Sequence, residues 1–285
     1  LTLGEPDMKT PEFVIEGAKR ALDEGKTHYT NFKGIDELRE GVAVRYRDKG
    51  LDVDADNVLI TPTKTGIFGT ILTQIEKEAE VVLISPCWVS YEPMVSIAGG
   101  RAKYAKMVKI GKGFGVDAEA LKGAISPKTR MIVINTPNNP TGHVMGLDEL
   151  KLIADIAKDH NLLVVSDEVY EELVYDEYKH YSIATLPGMW ERTITVSGLS
   201  KSFAMTGWRV GWAVAQREFM DELWKFQQHT LTCVTSFAQY GALELFRRPE
   251  EARRAINRIR STFAERRDTV SYTHLRAHET SLHLV

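Results

Sequence analysis

The sequence is poor in cysteine: Cys87 and Cys233 are its only two thiols in 285 residues. Two thiols cannot make a disulfide framework, so a small stapled extracellular scaffold is excluded and a reducing, cytoplasmic setting is expected. No apolar run approaches the roughly 20 residues that a membrane-spanning helix needs, and no signal peptide is recognisable. An excess of one charge is missing too. The 36 basic and 39 acidic residues leave a formal net charge of −3. That argues against nucleic acid or a membrane surface as partner. No internal repeat stands out, and the phosphate-binding Walker pattern is absent. An initiator methionine is also missing, and the abrupt opening "LTLGEPD" suggests a cut N-terminus.

What remains is ordinary globular composition, 43% hydrophobic and 26% charged. Apolar, β-branched runs recur at 57–61, 80–86, 130–137, 161–168, 192–198 and 209–215. Several are apolar at consecutive positions, which suits strands covered on both faces. Helix-period segments lie between or beside them at 12–24, 35–47, 66–77, 117–125 and 148–160. The last follows Gly146 and carries Asp148 and Glu149 in its first turn, a helix-start signal. Alternation of this kind predicts a three-layer α/β/α fold with a mostly parallel sheet. From 216 to about 268 the pattern turns helical and charged. "GKGFG" (111–115) has a glycine rhythm, but no apolar strand precedes it and no helix opens on it, so it is expected to be a turn.

Chemistry is suggested where apolar runs give way to polar residues. The first runs into "NTPNNPTG" (135–142), the second into "DEVY" (167–170), the third into "GLSK" (198–201). Ligands of open α/β sheets bind beyond the carboxyl ends of the strands. Asn139, Asp167, Tyr170 and Lys201 would then gather on one rim. "TPTKTG" (61–66) would add backbone N–H groups and the Thr63 and Thr65 hydroxyls at a helix N-terminus, a phosphate cradle. Taken singly, each has a bland explanation: a solvated lysine, a turn aspartate, a turn motif. Taken together they match one ligand, which has a phosphate, a carbonyl for an amine, a ring nitrogen for an anion and an oxygen for donors. That ligand is pyridoxal phosphate.

"NTPNNPTG", "SDEVY" and "SGLSKSFAMTGWRVGW" resemble the signature segments of class I/II aminotransferases of pyridoxal-phosphate fold type I. The likeness extends through "LTLGEPD", "GKTHYTNFKGIDELRE" and "SPCWVSYEPM", covering about residues 1–268. It implies that Lys201 is the Schiff-base lysine and general base. Asp167 then faces the pyridine nitrogen, and Tyr170 and Asn139 donate to the ring oxygen. Arg209 binds the phosphate, with Thr63, Lys64, Thr65 and Ser200 beside it. Trp88 lies by cofactor and substrate, Gly4 and Asn139 touch the substrate, and Tyr29 reaches the phosphate of a neighbouring subunit. A homodimer follows from that last role. No metal site is expected.

The chain departs from the pattern in places. Its phosphate loop reads Thr63, Lys64, Thr65, Gly66 where many relatives have small residue, small residue, lysine, glutamine. Gly198 stands where a hydroxyl is common, leaving Ser197 or Ser200 to substitute. The arginine that relatives use for the substrate carboxylate has no match, so a C-terminally truncated fragment is expected, with the small C-terminal domain largely missing. The expected organisation is an N-terminal arm (1–30), a pyridoxal-phosphate-binding large domain (31–268) and a non-native tail (269–285). That tail contains His274, His278 and His283. Its histidine spacing admits a metal site or a loose end, and its wording resembles translated adaptor sequence. The expected activity is amino-group transfer from an α-amino acid to a 2-oxo acid. The alternatives are a lyase on the same fold or the ligand-sensing domain of a transcription regulator.

Overall fold

The apolar runs form the strands of one sheet in the computed structural model, which describes residues 4–111 and 113–270. In chain order the elements begin with α1 (Glu12–Asp23), α2 (Asp36–Arg47), β1 (Val58–Ile60), α3 (Thr63–Gln74), β2 (Glu80–Ser85) and α4 (Tyr91–Ile97). Then come β3 (Arg101–Lys106), β4 (Val108–Ile110), β5 (Gly113–Gly115), α5 (Ala118–Gly123), β6 (Thr129–Asn135) and α6 (Leu147–Asp159). The last are β7 (Leu163–Asp167), β8 (Thr193–Gly198), β9 (Gly211–Val214), α7 (Arg217–Thr230), α8 (Ser236–Arg247) and α9 (Pro249–Val270). Among the described residues the main sheet runs β1-β9-β8-β7-β6-β2-β3. The strands from β8 to β3 are parallel to one another, while β9 runs against both β1 and β8.

Side chains alternate across a strand, and here both sets are buried. Val81 and Leu83 of β2, Met131 and Val133 of β6 and Val165 of β7 join one core with Ile67 and Ile71 of α3 and Leu223 of α7. The residues between them, Val82, Ile84, Ile132, Ile134 and Val164, join another core with Ile153 and Ala157 of α6. At the β1–β9 end, Val58, Ile60, Trp212 and Val214 pack with Leu38 and Val42 of α2 and Leu243 of α8. This is why the strands are continuously apolar, and it yields the expected three layers. Each such fully buried aliphatic side chain contributes about 1.5–3 kcal/mol of burial.

The topology also explains why polar residues cluster. β1, β2, β6, β7 and β8 point their carboxyl ends to one rim. β9 returns from that rim, so residues 199–210 between β8 and β9 start and finish there. Lys201 and Arg209 both belong to this return segment, eight positions apart in sequence. α3 begins just after β1 and brings Thr63 to the same rim.

Other details differ from expectation. α3 starts at Thr63 rather than near 66, because Pro62 is extended and the chain turns helical immediately after it. β3 and α4 had no clear sequence signal. β3 is an edge strand, mostly exposed, so it lacks an apolar run. "GKGFG" does turn, at Gly111 with φ +58, but its second half pairs as β5 against β4. The charged C-terminal pattern divides into three helices, and α9 extends to Val270, into the segment expected as tail. His274, His278 and His283 lie outside the described residues. No described helix is long and apolar enough to cross a membrane.

Candidate active site

A cleft of about 670 Å³ lies on the rim where the strands end. Asp167, the last residue of β7, is at its floor and 4% exposed. Its Oδ2 accepts from the Tyr91 hydroxyl at 2.7 Å, and its Oδ1 accepts from the Val169 N–H at 3.2 Å. Burial outweighs both donors and pushes the carboxyl up to about 6, with Glu168 adding to the rise. Tyr170 borders the same space, and burial, then Asp167, raises its phenol. Asn139 enters from the loop after β6, with its N–H held by Asn135 Oδ1 at 2.7 Å.

Lys201 lines the cleft and donates from Nζ to the Gly4 carbonyl. Burial lowers the pKa of its amine; Glu5 opposes the shift and Arg209 reinforces it. Arg209 adopts a left-handed conformation, φ 57 and ψ 42, which is strained for a residue with a Cβ. Its Nη1 donates to Thr206 O at 2.7 Å. Thr63, Lys64, Ser200 and Thr206 surround this corner. The first turn of α3 adds N–H groups that the helix itself cannot satisfy. A cation and a helix N-terminus thus make one anion-binding corner. Trp88 forms a wall, edge-on to Tyr91 with centroids 5.4 Å apart, and Lys64 Nζ lies 5.3 Å from the Trp88 ring centroid.

Most residues expected at the site do converge: Gly4, Thr63, Lys64, Trp88, Asn139, Asp167, Tyr170, Ser200, Lys201 and Arg209 all line this cleft. Thr65 is half-buried on α3 and does not line it. Tyr29 is 85% exposed and borders a separate concavity. Of the two serines considered for the missing hydroxyl, Ser200 lines the cleft, whereas Ser197 is buried and donates to Glu171 Oε1 at 2.7 Å. Tyr91 and Asn135 are cleft residues that the sequence did not single out.

The donor set suits pyridoxal phosphate. One buried carboxylate, one amine of lowered pKa, an amide and a phenol, and an anion corner all open onto a single cleft. An adjoining lobe of about 720 Å³ shares Gly4, Asn139, Tyr170 and Lys201 and extends toward Tyr175, Tyr178 and Phe263.

Comparison with known proteins agrees with this chemistry. Residues 1–281 match the family "Aminotransferase class I and II". An aromatic-amino-acid aminotransferase of Thermococcus litoralis is 43% identical over 273 residues, 95% of this chain and 70% of that protein. An aspartate aminotransferase of Pyrococcus abyssi is 42% identical over 276 residues, again 95% and 70%. The solved aspartate aminotransferase of Thermus thermophilus with maleate superposes with a TM-score of 0.90 at 38% identity, over 94% of this chain and 70% of that one. The chain therefore belongs to the class I and II aminotransferases, enzymes that depend on pyridoxal phosphate.

Proposed function

We propose that this cleft moves an amino group from an α-amino acid to a 2-oxo acid, with Lys201, Asp167, Asn139, Tyr170 and Arg209 as its working residues. The observation that carries the proposal is their convergence on one cleft from segments far apart in sequence. Pyridoxal phosphate, when bound, supplies the electron sink that lets the substrate's α-hydrogen leave as a proton.

Lys201 would be the residue that holds the cofactor, and its Nζ, once freed as an amine by the incoming substrate amine, would carry that proton. The task needs a neutral amine, and both burial and the neighbouring Arg209 favour one. Asp167 keeps a negative charge facing the ring nitrogen. A cation opposite it extends its ionised range below the value of about 6 that burial imposes. Tyr170 and Asn139 donate to the ring oxygen. Arg209, Ser200, Thr63 and the N-terminus of α3 hold the phosphate, and the guanidinium offers a bidentate fork that a lysine lacks. Trp88 shields the ring from water, and Gly4 meets the substrate carboxylate. Tyr29 serves a second copy in a homodimer.

Borohydride reduction of the cofactor-loaded chain, followed by peptide mapping, tests the assignment. The expected label is on Lys201; a label on another lysine, or none, refutes it. A 2-oxo acid added with an amino-acid donor should yield a new amino acid.

A further inference from the structure

β6 and β7 end side by side, and Asn135 and Asp167 are register partners there. Asn135 is 3% exposed, yet it borders the cleft. Its Nδ2 donates to the Asp167 carbonyl at 3.0 Å, and its Oδ1 accepts from the Asn139 N–H at 2.7 Å. A main-chain carbonyl only accepts and a main-chain N–H only donates. One orientation of the amide alone satisfies both, so its direction is fixed by its partners. A single side chain thus ties the backbone of Asp167 to the backbone of Asn139.

The Asp167 carbonyl has a second donor, the Thr136 N–H at 3.2 Å. The Asn139 N–H, in contrast, is held by the Asn135 side chain. Removing the amide therefore releases the Asn139 end first. We propose that Asn135 is a positioning residue that fixes Asn139 relative to Asp167, and so sets how the pair address different edges of the bound cofactor. This rests on the roles given above to Asn139 and Asp167. A donor at the ring oxygen stabilises its anionic form. A donor that drifts raises the pH at which the bound cofactor's visible absorption changes.

The test is a pH titration of that absorption in the chain saturated with pyridoxal phosphate, with a melting temperature for each variant. Asn139→Ala should raise the midpoint. Asn135→Ala should raise it in the same direction, by about half a unit to one unit. In the double variant Asn135→Ala/Asn139→Ala the shifts should fall short of their sum, since one residue acts through the other. An unmoved midpoint in Asn139→Ala defeats the site assignment itself. A shift in Asn139→Ala without one in the Asn135 variants, with only melting affected, overturns the positioning role alone. Full additivity overturns it as well. Asn135→Ser replaces Asn135→Ala if the latter does not fold; if neither folds, Asn135 is a folding element and the proposal falls.

Discussion

Asp167 shows what burial does to a carboxyl that lines a cleft. Its carboxyl rises from 3.8 to about 6, mainly through loss of water. The folded chain then binds that proton more tightly than the unfolded chain. This residue's contribution to stability is most favourable below about pH 4 and falls as pH rises toward about 6. A shift of that size corresponds to about 3 kcal/mol. Glu171 runs the other way. Burial pushes it up, but Arg45 and Lys49 outweigh burial and hold it well below the usual carboxylate range. Its contribution is present above the unfolded pKa and lost in strong acid. We therefore expect Asp167→Asn, without cofactor, to be more stable than the parent at pH 8, by up to about 3 kcal/mol. The gain should vanish near pH 4. Urea unfolding at pH 4, 6 and 8 measures it, and a constant difference at all three would contradict the burial argument. Lys201, Asp167 and Arg209 were legible in the sequence because each interrupts an apolar context. Tyr91 and Asn135 were not. Their bonds to Asp167 span 76 and 32 positions, and alone they look like a core aromatic and a strand-end amide.

At the scale of elements, the strands buried on both faces announced themselves as apolar runs, and the helices by their period. β3 escaped because an edge strand needs no apolar run. α4 escaped because seven residues carry little periodicity. The sequence also did not reveal how closely the ends of β8 and β9 approach α3. Gly198 and Gly211 are register partners. A Cβ at Gly198 would lie 2.4 Å from Thr63 Oγ1 and 2.9 Å from the Gly211 Cα. The two glycines form a notch that admits the Thr63 hydroxyl, which donates to Ser197 O at 3.1 Å. This accounts for a glycine where a hydroxyl residue is common in the family: a side chain there has no room. We expect Gly198→Ala to cost about 1–3 kcal/mol, the usual range for overpacking. It should also weaken pyridoxal phosphate binding, since Thr63 and the α3 N-terminus must move. Adding Thr63→Ala should restore only part of the stability, because the contact with the Gly211 backbone remains. Urea melts and equilibrium dialysis of the cofactor read the two effects; unchanged values in Gly198→Ala would show that the strand ends yield freely.

At the scale of the whole molecule, composition and alternation were enough to anticipate a three-layer α/β/α fold, because layer architecture depends on which faces are apolar and little else. Association depends on surface detail, which a single sequence shows poorly. Tyr29 is the informative case. It lies between α1 and α2, 85% exposed, beside a concavity of about 360 Å³ lined by Lys26, His28, Asn31 and Tyr240. It does not line the cleft of its own chain. An exposed tyrosine offers a large ring and a polar tip, the combination enriched where protein surfaces meet. If it serves the cleft of a second copy, two defects in different chains must complement each other. Lys201→Ala chains lack the attachment point, and Tyr29→Ala chains lack the reach into a partner. In a hybrid dimer both lesions fall on one site and the other site is whole. Equal mixing with random exchange should make about a quarter of all sites intact. Borohydride-fixed cofactor per chain, measured after dialysis, should then exceed the mean of the two parent variants. A mixture that merely averages them would place Tyr29 in the service of its own chain, or of none.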